Sequence, residues 1–391
     1  MRTGIQSVTS FLVVMVMWVV LPGCGGDGGS DPATVSQPPG NPSPSPTPGG
    51  NLPPASGSFG GGQGKILFAE GIELPRSIAE FDLATRQVRT LVNYSQDYIL
   101  KRVVGGVSRA NDGSFVVVRN PGPGASAVIL HYQADGTRLH EWTVPKQLTP
   151  GVPNLFGLAE SPRNAFNEGG ALSPDGKSIA LAEITVGGDR LEVAILDVQS
   201  GTWVFNDLLR ANDDPPNKTT MNPSTLWSPT GELYVLSTVG LHKVDRVTGV
   251  GTLVHPVPLH SPHAPIMSSD GRTIYFEQLY GNPLGGTIWS MDVASGEPTR
   301  RSMRSIFGGQ YSPTLSPNGE WLLMQEANLI GSVFAPAPIF TPNPLIGAKA
   351  TPLNISAIRL SETPIDTQNL NIWILDAAGQ FHPANGRMAW Y

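Results

Sequence analysis

The chain has 391 residues, of which 40% are apolar and only 14% are charged, and it contains 45 glycines and 37 prolines. Few charges and many turn-forming residues are typical of an all-β protein built from short strands, and they argue against a helical one. The net charge of -6 provides no basic surface, which argues against nucleic-acid binding.

The first 23 residues are predicted to be a signal peptide of the bacterial lipoprotein type. Arg2 precedes an apolar stretch, 11–21, that is too short to cross a bilayer as a helix. The segment 21–24 resembles a lipobox, which implies that Cys24 becomes the lipidated first residue of the mature protein. An ordinary secretory signal with a chance cysteine is the alternative. Because Cys24 is the only cysteine, the chain can form no internal disulfide.

Residues 24–63 are predicted to be a disordered tether. Glycines occur at both ends, and proline alternates with serine or threonine over 42–48, which favours an extended polyproline II spacer. The segment has no apolar periodicity with which to form a core.

Six repeated units follow from Lys65 onward. In each unit an apolar strand is predicted, at 66–69, 114–118, 178–181, 233–236, 273–276 and 321–324. Five of these strands follow a turn whose second residue is glycine, namely Asp112-Gly113, Asp175-Gly176, Thr230-Gly231, Asp270-Gly271 and Asn318-Gly319. Asp-Gly and Asn-Gly predict two-residue hairpins with type I′ turns.

A second turn recurs after the following strand, which ends at an acidic residue in five units. The pattern is Asp-x-x-Ser/Thr-Gly in most copies, and the acidic residues are Asp82, Asp197, Asp245, Asp292 and Asp376. We interpret these carboxylates as structural groups that accept backbone N–H hydrogen bonds within the turn, rather than as catalytic groups.

The turn segments 172–177, 227–231, 267–271 and 315–319 resemble the WD40-like (PD40) repeats of TolB-type propellers. The resemblance covers about residues 65–391, within a predicted domain at 64–391. It implies an all-β fold, a six-bladed β-propeller of four-stranded antiparallel blades. A seventh, degenerate blade stays open as an alternative.

The C-terminal residues are predicted to close the propeller. The first unit begins at Lys65 with what corresponds to a second strand, and no innermost strand precedes it. The end of the chain, Met388 to Tyr391, resembles the segment before another unit's turn. We therefore expect it to form the innermost strand of blade one, which would remove two exposed sheet edges.

The strand order also predicts which face carries function. Both kinds of short turn should lie on one face, and the longer connections, 144–170, 206–223, 254–264 and 327–369, on the other. Because long loops on a rigid scaffold are often functional, the long-loop face is the predicted binding face. On it, Arg163, Asn167 and Glu168 form the best polar cluster.

The connection 327–369 is a predicted insertion in blade six with unusually apolar segments. One contains Phe334 and Phe340, and the other runs from Ile355 to Leu360. The two interpretations are a lid packed over the channel and an element that docks a partner.

Three histidines, His255, His260 and His263, are close together in the connection between the fourth and fifth units. A His-x-x-His pair can supply two ligands to a metal, so His260 and His263 are candidate ligands of a divalent ion; ordinary loop histidines are the alternative. The resemblance adds that TolB-like lyases acting on acidic sugars use histidines and a metal near the channel. No other cofactor is expected.

These observations favour binding over catalysis, because the chain has neither a Gly-x-Ser-x-Gly elbow nor a His-Glu-x-x-His motif. We expect a lipid-anchored binding or scaffolding module of the bacterial cell envelope, periplasmic or on the cell surface. Its partners would be envelope proteins or carbohydrates, with the membrane touched only through the lipid. A metal-dependent lyase or hydrolase acting on carbohydrate is the alternative.

Overall fold

The computed structural model describes the chain from Gly64 to its last residue, with gaps. The described residues are 64–71, 77–94, 102–120, 128–145, 171–184, 190–210, 223–256, 262–278, 287–301, 308–328, 354–360, 371–372, 374, 376–378, 380, 382 and 384–391. The predicted signal peptide, the predicted tether and Cys24 therefore lie outside the described residues. Among the residues described, no helix is long and apolar enough to cross a membrane.

The described part of the chain consists of β-strands. They are β1 (Lys65–Glu70), β2 (Ser77–Asp82), β3 (Val88–Asn93), β4 (Arg102–Arg109), β5 (Phe115–Asn120), β6 (Val128–Tyr132), β7 (Arg138–Thr143), β8 (Ala171–Leu172), β9 (Ser178–Ile184), β10 (Arg190–Asp197), β11 (Trp203–Arg210), β12 (Ser224–Trp227), β13 (Leu233–Ser237), β14 (Gly240–Val244), β15 (Gly251–His255), β16 (Pro262–Met267), β17 (Thr273–Gln278), β18 (Thr287–Asp292), β19 (Pro298–Arg300), β20 (Gly308–Leu315), β21 (Trp321–Asn328), β22 (Asn354–Arg359), β23 (Asn371–Ile372) and β24 (Ala384–Trp390).

These strands pair in groups of four, as the repeats predict. Four separate sheets contain β8–β11, β12–β15, β16–β19 and β20–β23, which we call sheets 3, 4, 5 and 6. The remaining eight strands form one sheet with two antiparallel halves, β24-β1-β2-β3 (sheet 1) and β4–β7 (sheet 2). A single parallel bridge between Arg387 and Gly106 joins the halves. The architecture is thus all-β, with four-stranded sheets of the propeller type.

The C-terminal strand occupies the predicted place beside the first strand. β24 pairs antiparallel with β1, and Trp390 lies opposite Ile66. The backbone N–H of Lys65 donates to the Tyr391 carbonyl at 2.7 Å, and the N–H of Tyr391 donates back to the Lys65 carbonyl at 2.9 Å. The expectation that Met388 to Tyr391 supplies the innermost strand of sheet 1 is confirmed.

The hydrophobic core lies between neighbouring sheets. Separate clusters of buried apolar side chains join sheets 1 and 2, 2 and 3, 3 and 4, 4 and 5, and 5 and 6. A further cluster joins Leu323 of sheet 6 to Phe68 of sheet 1, with Met388 and Trp390 of the C-terminal strand among its members. Every sheet therefore packs against the next, because alternate residues of each strand face opposite neighbours.

The glycine turns differ from the predicted type I′ hairpins. In the fullest copy the Gly176 N–H donates to the Ser173 carbonyl at 2.9 Å, so the central residues are Pro174 and Asp175, and only the glycine has a positive φ, of 70°. A type I′ turn needs a positive φ at its first central residue, which proline cannot adopt. The observed form is a type I turn followed by a left-handed glycine.

The aspartate turns confirm the structural role predicted for their carboxylates. Asp197 Oδ1 accepts hydrogen bonds from the backbone N–H and the hydroxyl of Ser200, at 2.7 and 2.8 Å. Asp82, Asp245 and Asp292 accept from the backbone N–H groups two and three residues on. Asp376 accepts from those two and four residues on. These bonds favour the charged form and lower the pKa of each of the five carboxylates.

Sheet 6 corrects one part of the sequence interpretation. Its third strand is β22, Asn354–Arg359, which pairs with β21 over six residues within the predicted insertion. The segment from Ile355 to Leu360 was predicted to be a lid or a docking element, and this is wrong, because most of it is a strand of the sheet. The error arose because the Asp376 turn was taken as the end of the third strand, whereas it follows the fourth, β23.

Deleting residues 386–391 tests the pairing of β24 with β1. The deletion removes the buried side chains of Met388 and Trp390 and exposes the inner edge of β1. We expect the melting temperature, measured by circular dichroism, to fall by about 10 °C or more. Replacing the same residues by Gly-Ser repeats keeps the chain length and should fail to restore it. Unchanged melting of the shortened chain would contradict the pairing.

Candidate functional site

A cavity of about 350 Å³ lies between the innermost strands, and we call it the central cavity. All six sheets contribute to its lining. The contributing residues are Met388, Ala389, Trp390 and Tyr391 with Arg387 from sheet 1, Val107 to Asn111 from sheet 2, Ala171, Leu172 and Pro174 from sheet 3, Trp227 from sheet 4, Ile266 from sheet 5, and Thr314, Leu315 and Pro317 from sheet 6. Residues of all six sheets therefore meet at one cavity.

The central cavity lies towards the edge of the sheets that carries the short turns. Asn111, Pro174 and Pro317, which line it, belong to the glycine turns that follow the innermost strands. Apart from the Asp376 turn, which follows a fourth strand, the two kinds of turn lie on the same edge, as predicted. The Arg246 guanidinium, in an aspartate turn, is 3.1 Å from the Asp175 carboxylate, in a glycine turn. The backbone N–H of Asn111 also donates to the Pro174 carbonyl of the next sheet at 2.9 Å.

The innermost strands bulge at one equivalent level below these turns. Gly106, Ala264 and Ser312 have positive φ angles of 83°, 45° and 49°. Each lies four residues before the first residue of its turn, where the pairing register with the second strand shifts. The bulges turn the backbone at the inner wall of the cavity.

Gly106 is required at its bulge because the C-terminal strand touches it. A Cβ atom there would lie 2.1 Å from the carbonyl oxygen of Arg387, a distance too short for any residue that has a side chain. The Arg387 side chain extends from the same place to sheet 5, where its Nη2 donates to the Pro265 carbonyl at 3.2 Å. One residue of β24 therefore contacts sheets 2 and 5 at the inner end of the cavity.

A second charged group, Arg109, lies near the turns. Its guanidinium carbon is 3.5 Å from the centre of the Tyr391 ring, which is a close cation–π contact. The Tyr391 hydroxyl donates a short hydrogen bond to Glu80 Oε2. Burial, that hydrogen bond and the nearby Glu80 charge raise the pKa of Tyr391, so the phenol is neutral at physiological pH.

Glu80 lies at the centre of this contact network. Its side chain is only 7% exposed, and its Oε1 accepts from Lys65 at 2.9 Å and from Arg89 at 3.2 Å. Burial alone would raise the pKa of Glu80, but hydrogen bonds from Tyr391 and Lys65 and the charge of Arg89 outweigh it. The pKa therefore lies below the ordinary value of 4.5. This network links the C-terminal residue to β1, β2 and β3.

The neutral variant Glu80→Gln tests that network. It removes the charge that faces Lys65 and Arg89, so we expect the free energy of unfolding at pH 7 to fall by about 1–3 kcal/mol. Because the folded pKa is depressed, the contribution is present above pH 4.5 and is lost as the pH falls through the folded pKa. The difference between the two proteins should therefore shrink in acid. Urea unfolding of both proteins, from pH 7 to below pH 4.5, measures this difference in unfolding free energy.

Glu232→Gln is the matched control. Glu232 also pairs with a lysine, Lys243, but its side chain is 44% exposed. We expect its loss to cost less than about 1 kcal/mol, since solvent screens exposed pairs. Equal effects of the two substitutions would show that burial of Glu80 is unimportant.

Most of the residues proposed from the sequence lie outside the described residues. These are Cys24, Arg163, Asn167, Glu168, His260, Phe334 and Phe340. His263 is described: it lies in β16, partly buried and opposite Glu277. His255 lies in the outermost strand of sheet 4, where its Nε2 is 2.7 Å from the Val293 carbonyl. The metal site at His260 and His263 stays a prediction.

Other ionisable side chains form no metal-binding group within the described residues, where no three His, Cys, Asp or Glu side chains come together suitably. His242 lies inside sheet 4, and burial lowers its pKa to about 4. His382 is 2.6 Å from Glu70 and 3.5 Å from Asp376, and it connects the turn before β24 to β1. Both histidines lie outside the lining of the central cavity.

The central cavity and its arginines were missed by sequence reasoning. Arg109 directly precedes the turn that begins at Ala110, and Arg387 directly precedes the segment Met388 to Tyr391 that is predicted to close the first blade. Their position on innermost strands is the signal that could have found them. This signal becomes informative only when the structure shows which innermost strands line the central cavity.

No protein-family model matches the chain, and no curated protein matches it. Similar solved structures include TolB from Acinetobacter baumannii, at 15% identity and a TM-score of 0.47 over 84% of this chain. The match spans 66% of the TolB chain, less than two thirds of its length. A protein of unknown function from Bacteroides caccae matches at 10% identity with a TM-score of 0.47. That match covers 84% of this chain and 98% of the Bacteroides chain. The β-propeller domain of Cps50 (Swd1) from Myceliophteria thermophila matches at 12% identity with a TM-score of 0.43. That match covers 73% of this chain and 77% of the Cps50 domain chain. Because these similarities are so distant, the fold is assigned from the strand pairing described above and not from them.

Proposed function

We propose that the protein is a six-bladed β-propeller that serves as a binding or scaffolding module. The closed ring is supported by the apolar clusters between consecutive sheets, including the one that joins sheet 6 to sheet 1. It is supported also by the central cavity, to which all six sheets contribute. A rigid ring of this kind presents loops in fixed positions, which suits recognition.

The observation that carries the proposal is the separation of short turns from long connections. In sheets 2 to 5 the short turns lie on one edge, where Asp175 contacts Arg246. Since the strands are antiparallel, the connections that span 146–170, 211–222 and 329–353 leave from the opposite edge. A scaffold that gathers its long connections on one face provides a surface for a partner.

The proposed partner is a protein or carbohydrate of the bacterial cell envelope. Arg163, Asn167 and Glu168 would contribute polar contacts, and Phe334 and Phe340 apolar ones. Lipid on Cys24 would hold the protein at a membrane, and the tether 24–63 would allow a distance of roughly 100 Å when extended. The net charge of -6 argues against nucleic acid as the partner.

Replacing residues 331–351 by a short Gly-Ser turn tests the binding face. Glu326 is paired with Asn354, so a tight hairpin can join β21 to β22 without changing the sheet. We expect a partner captured by chemical cross-linking in envelope extracts, identified by mass spectrometry, to be lost at least tenfold when this segment is removed. The melting temperature should stay within about 2 °C of the original.

The matched control changes the opposite face. Val247 lies in an aspartate turn and is 72% exposed, so Val247→Ser alters that face without touching the core. Capture should be unaffected by it. Equal capture by the shortened and the full-length protein, or loss of capture in the control alone, would contradict binding through the long-loop face.

A further inference from the structure

Two histidines lie opposite each other on neighbouring strands of sheet 2. His131 of β6 pairs with His140 of β7, and the centres of their rings are 5.9 Å apart. Residues directly opposite each other in an antiparallel pair share one face of the sheet. Ile129, two residues before His131, belongs to the apolar cluster that joins sheets 2 and 3. Alternation along the strand therefore places both histidines on the side of sheet 2 that faces sheet 3.

His131 is an unusual buried polar group. Its side chain is only 4% exposed, and neither ring nitrogen has a hydrogen-bond partner among the described residues. Most buried polar side chains in proteins are hydrogen-bonded, because leaving such a group unpaired is costly. The unpaired nitrogens of His131 are therefore available to a ligand.

The imidazole of His131 is in the form that binds metal ions. Burial and the charge of His140 lower the pKa of His131, whereas the charge of Asp112 acts in the opposite direction. The ring is thus neutral at pH 7, with one nitrogen lone pair free. A metal ion binds a neutral imidazole without having to displace a proton.

His140 makes the pair accessible. It is exposed, so an ion can approach from solvent on its side. Its ring centre is 5.0 Å from that of Trp142, and the Trp142 ring is 6.0 Å from that of His131. Trp142 also packs against the cluster between sheets 2 and 3. One side of this group of three rings is thereby fixed by packing, and His140 forms the open side.

The separation of the two histidines is within the reach of one metal ion. An imidazole nitrogen lies about 1.1 Å from its ring centre and binds zinc at about 2.0–2.1 Å, so one ion can join rings whose centres are up to roughly 6.4 Å apart. The observed separation is 5.9 Å. Because the ring planes are only 22° apart, His140 must turn about its side-chain bonds to direct a nitrogen at the ion. Its exposure permits that rotation.

We propose that His131 and His140 together bind one divalent transition-metal ion, copper(II) most tightly and zinc or nickel(II) less so. Imidazole suits all three ions, and copper(II) forms the most stable complexes of the series. Two ligands are fewer than the three sought above, so water completes the coordination. The site is near the Asp135-Gly136 turn and goes beyond the proposed function, which concerns a macromolecular partner at the long-loop face.

Calorimetric titration of the purified protein, without a histidine tag, tests the proposal with Cu²⁺ and with Mg²⁺. We expect one Cu²⁺ to bind at this site, and Mg²⁺ not to bind it, because magnesium requires oxygen ligands. Pulsed electron paramagnetic resonance of the copper complex counts the imidazoles bound to the metal. The expected number is two, and this measurement needs only the unaltered protein.

Variants identify the ligands. His140→Ala changes an exposed side chain, and it should weaken copper binding at least about tenfold and leave one bound imidazole, because two linked ligands bind far more tightly than one. His131→Phe keeps a buried ring and should have the same effect on binding. Arg138→Ala is the matched control, since Arg138 is 57% exposed and lies two residues before His140 on the same strand. Copper binding should be unchanged in the control.

His260→Ala separates this site from the metal site predicted at His260 and His263, and it should leave the signal of two imidazoles intact. Fewer than two bound imidazoles in the unaltered protein, or equal copper affinity of that protein and His140→Ala, would overturn the proposal. Loss of the signal in His260→Ala but not in His140→Ala would assign the copper to the other site and equally overturn it. Removal of residues 331–351 should leave copper binding unchanged, so failure of the proposed function and failure of this site are distinguishable.

Discussion

The pairing of the last strand with the first is the contact on which the rest of the structure depends. Without β24, sheet 1 would have three strands and an exposed inner edge at β1. The same strand reaches Gly106 of sheet 2 through its backbone and Pro265 of sheet 5 through Arg387. Its final residue, Tyr391, connects Arg109 with the buried Glu80. The pairing of the chain ends therefore also shapes the central cavity.

The repeated turns determine where variation is tolerated. Each glycine turn and each aspartate turn satisfies its own backbone groups, as Asp197 and Ser173 do in sheet 3. Turns of this kind are short and leave little room for insertion. In sheets 2 to 5, long connections are thereby confined to the opposite edge. The consequence is one face with fixed chemistry around the central cavity and another face available for recognition.

Local sequence patterns predicted the elements better than the site. The strand that follows each glycine turn and the place of Met388 to Tyr391 could be predicted, because turn chemistry and alternation are local. The turn type was wrong because Pro174 lies inside the turn, and Ile355 to Leu360 was misplaced because Asp376 imitates the end of a third strand. Arg109 and Arg387 are far apart in the sequence, so only the assembled sheets reveal that both line the same cavity.

Hydrogen exchange of the C-terminal segment tests the central claim most directly. The amides of Lys65 and Tyr391 donate to each other's carbonyls, so peptides covering 384–391 and 65–70 should exchange slowly and at similar rates. Both should open only with unfolding of the sheets. Rapid exchange over 384–391, together with protection of β2 and β5, would contradict the account, because the chain ends would then be unpaired in the folded protein.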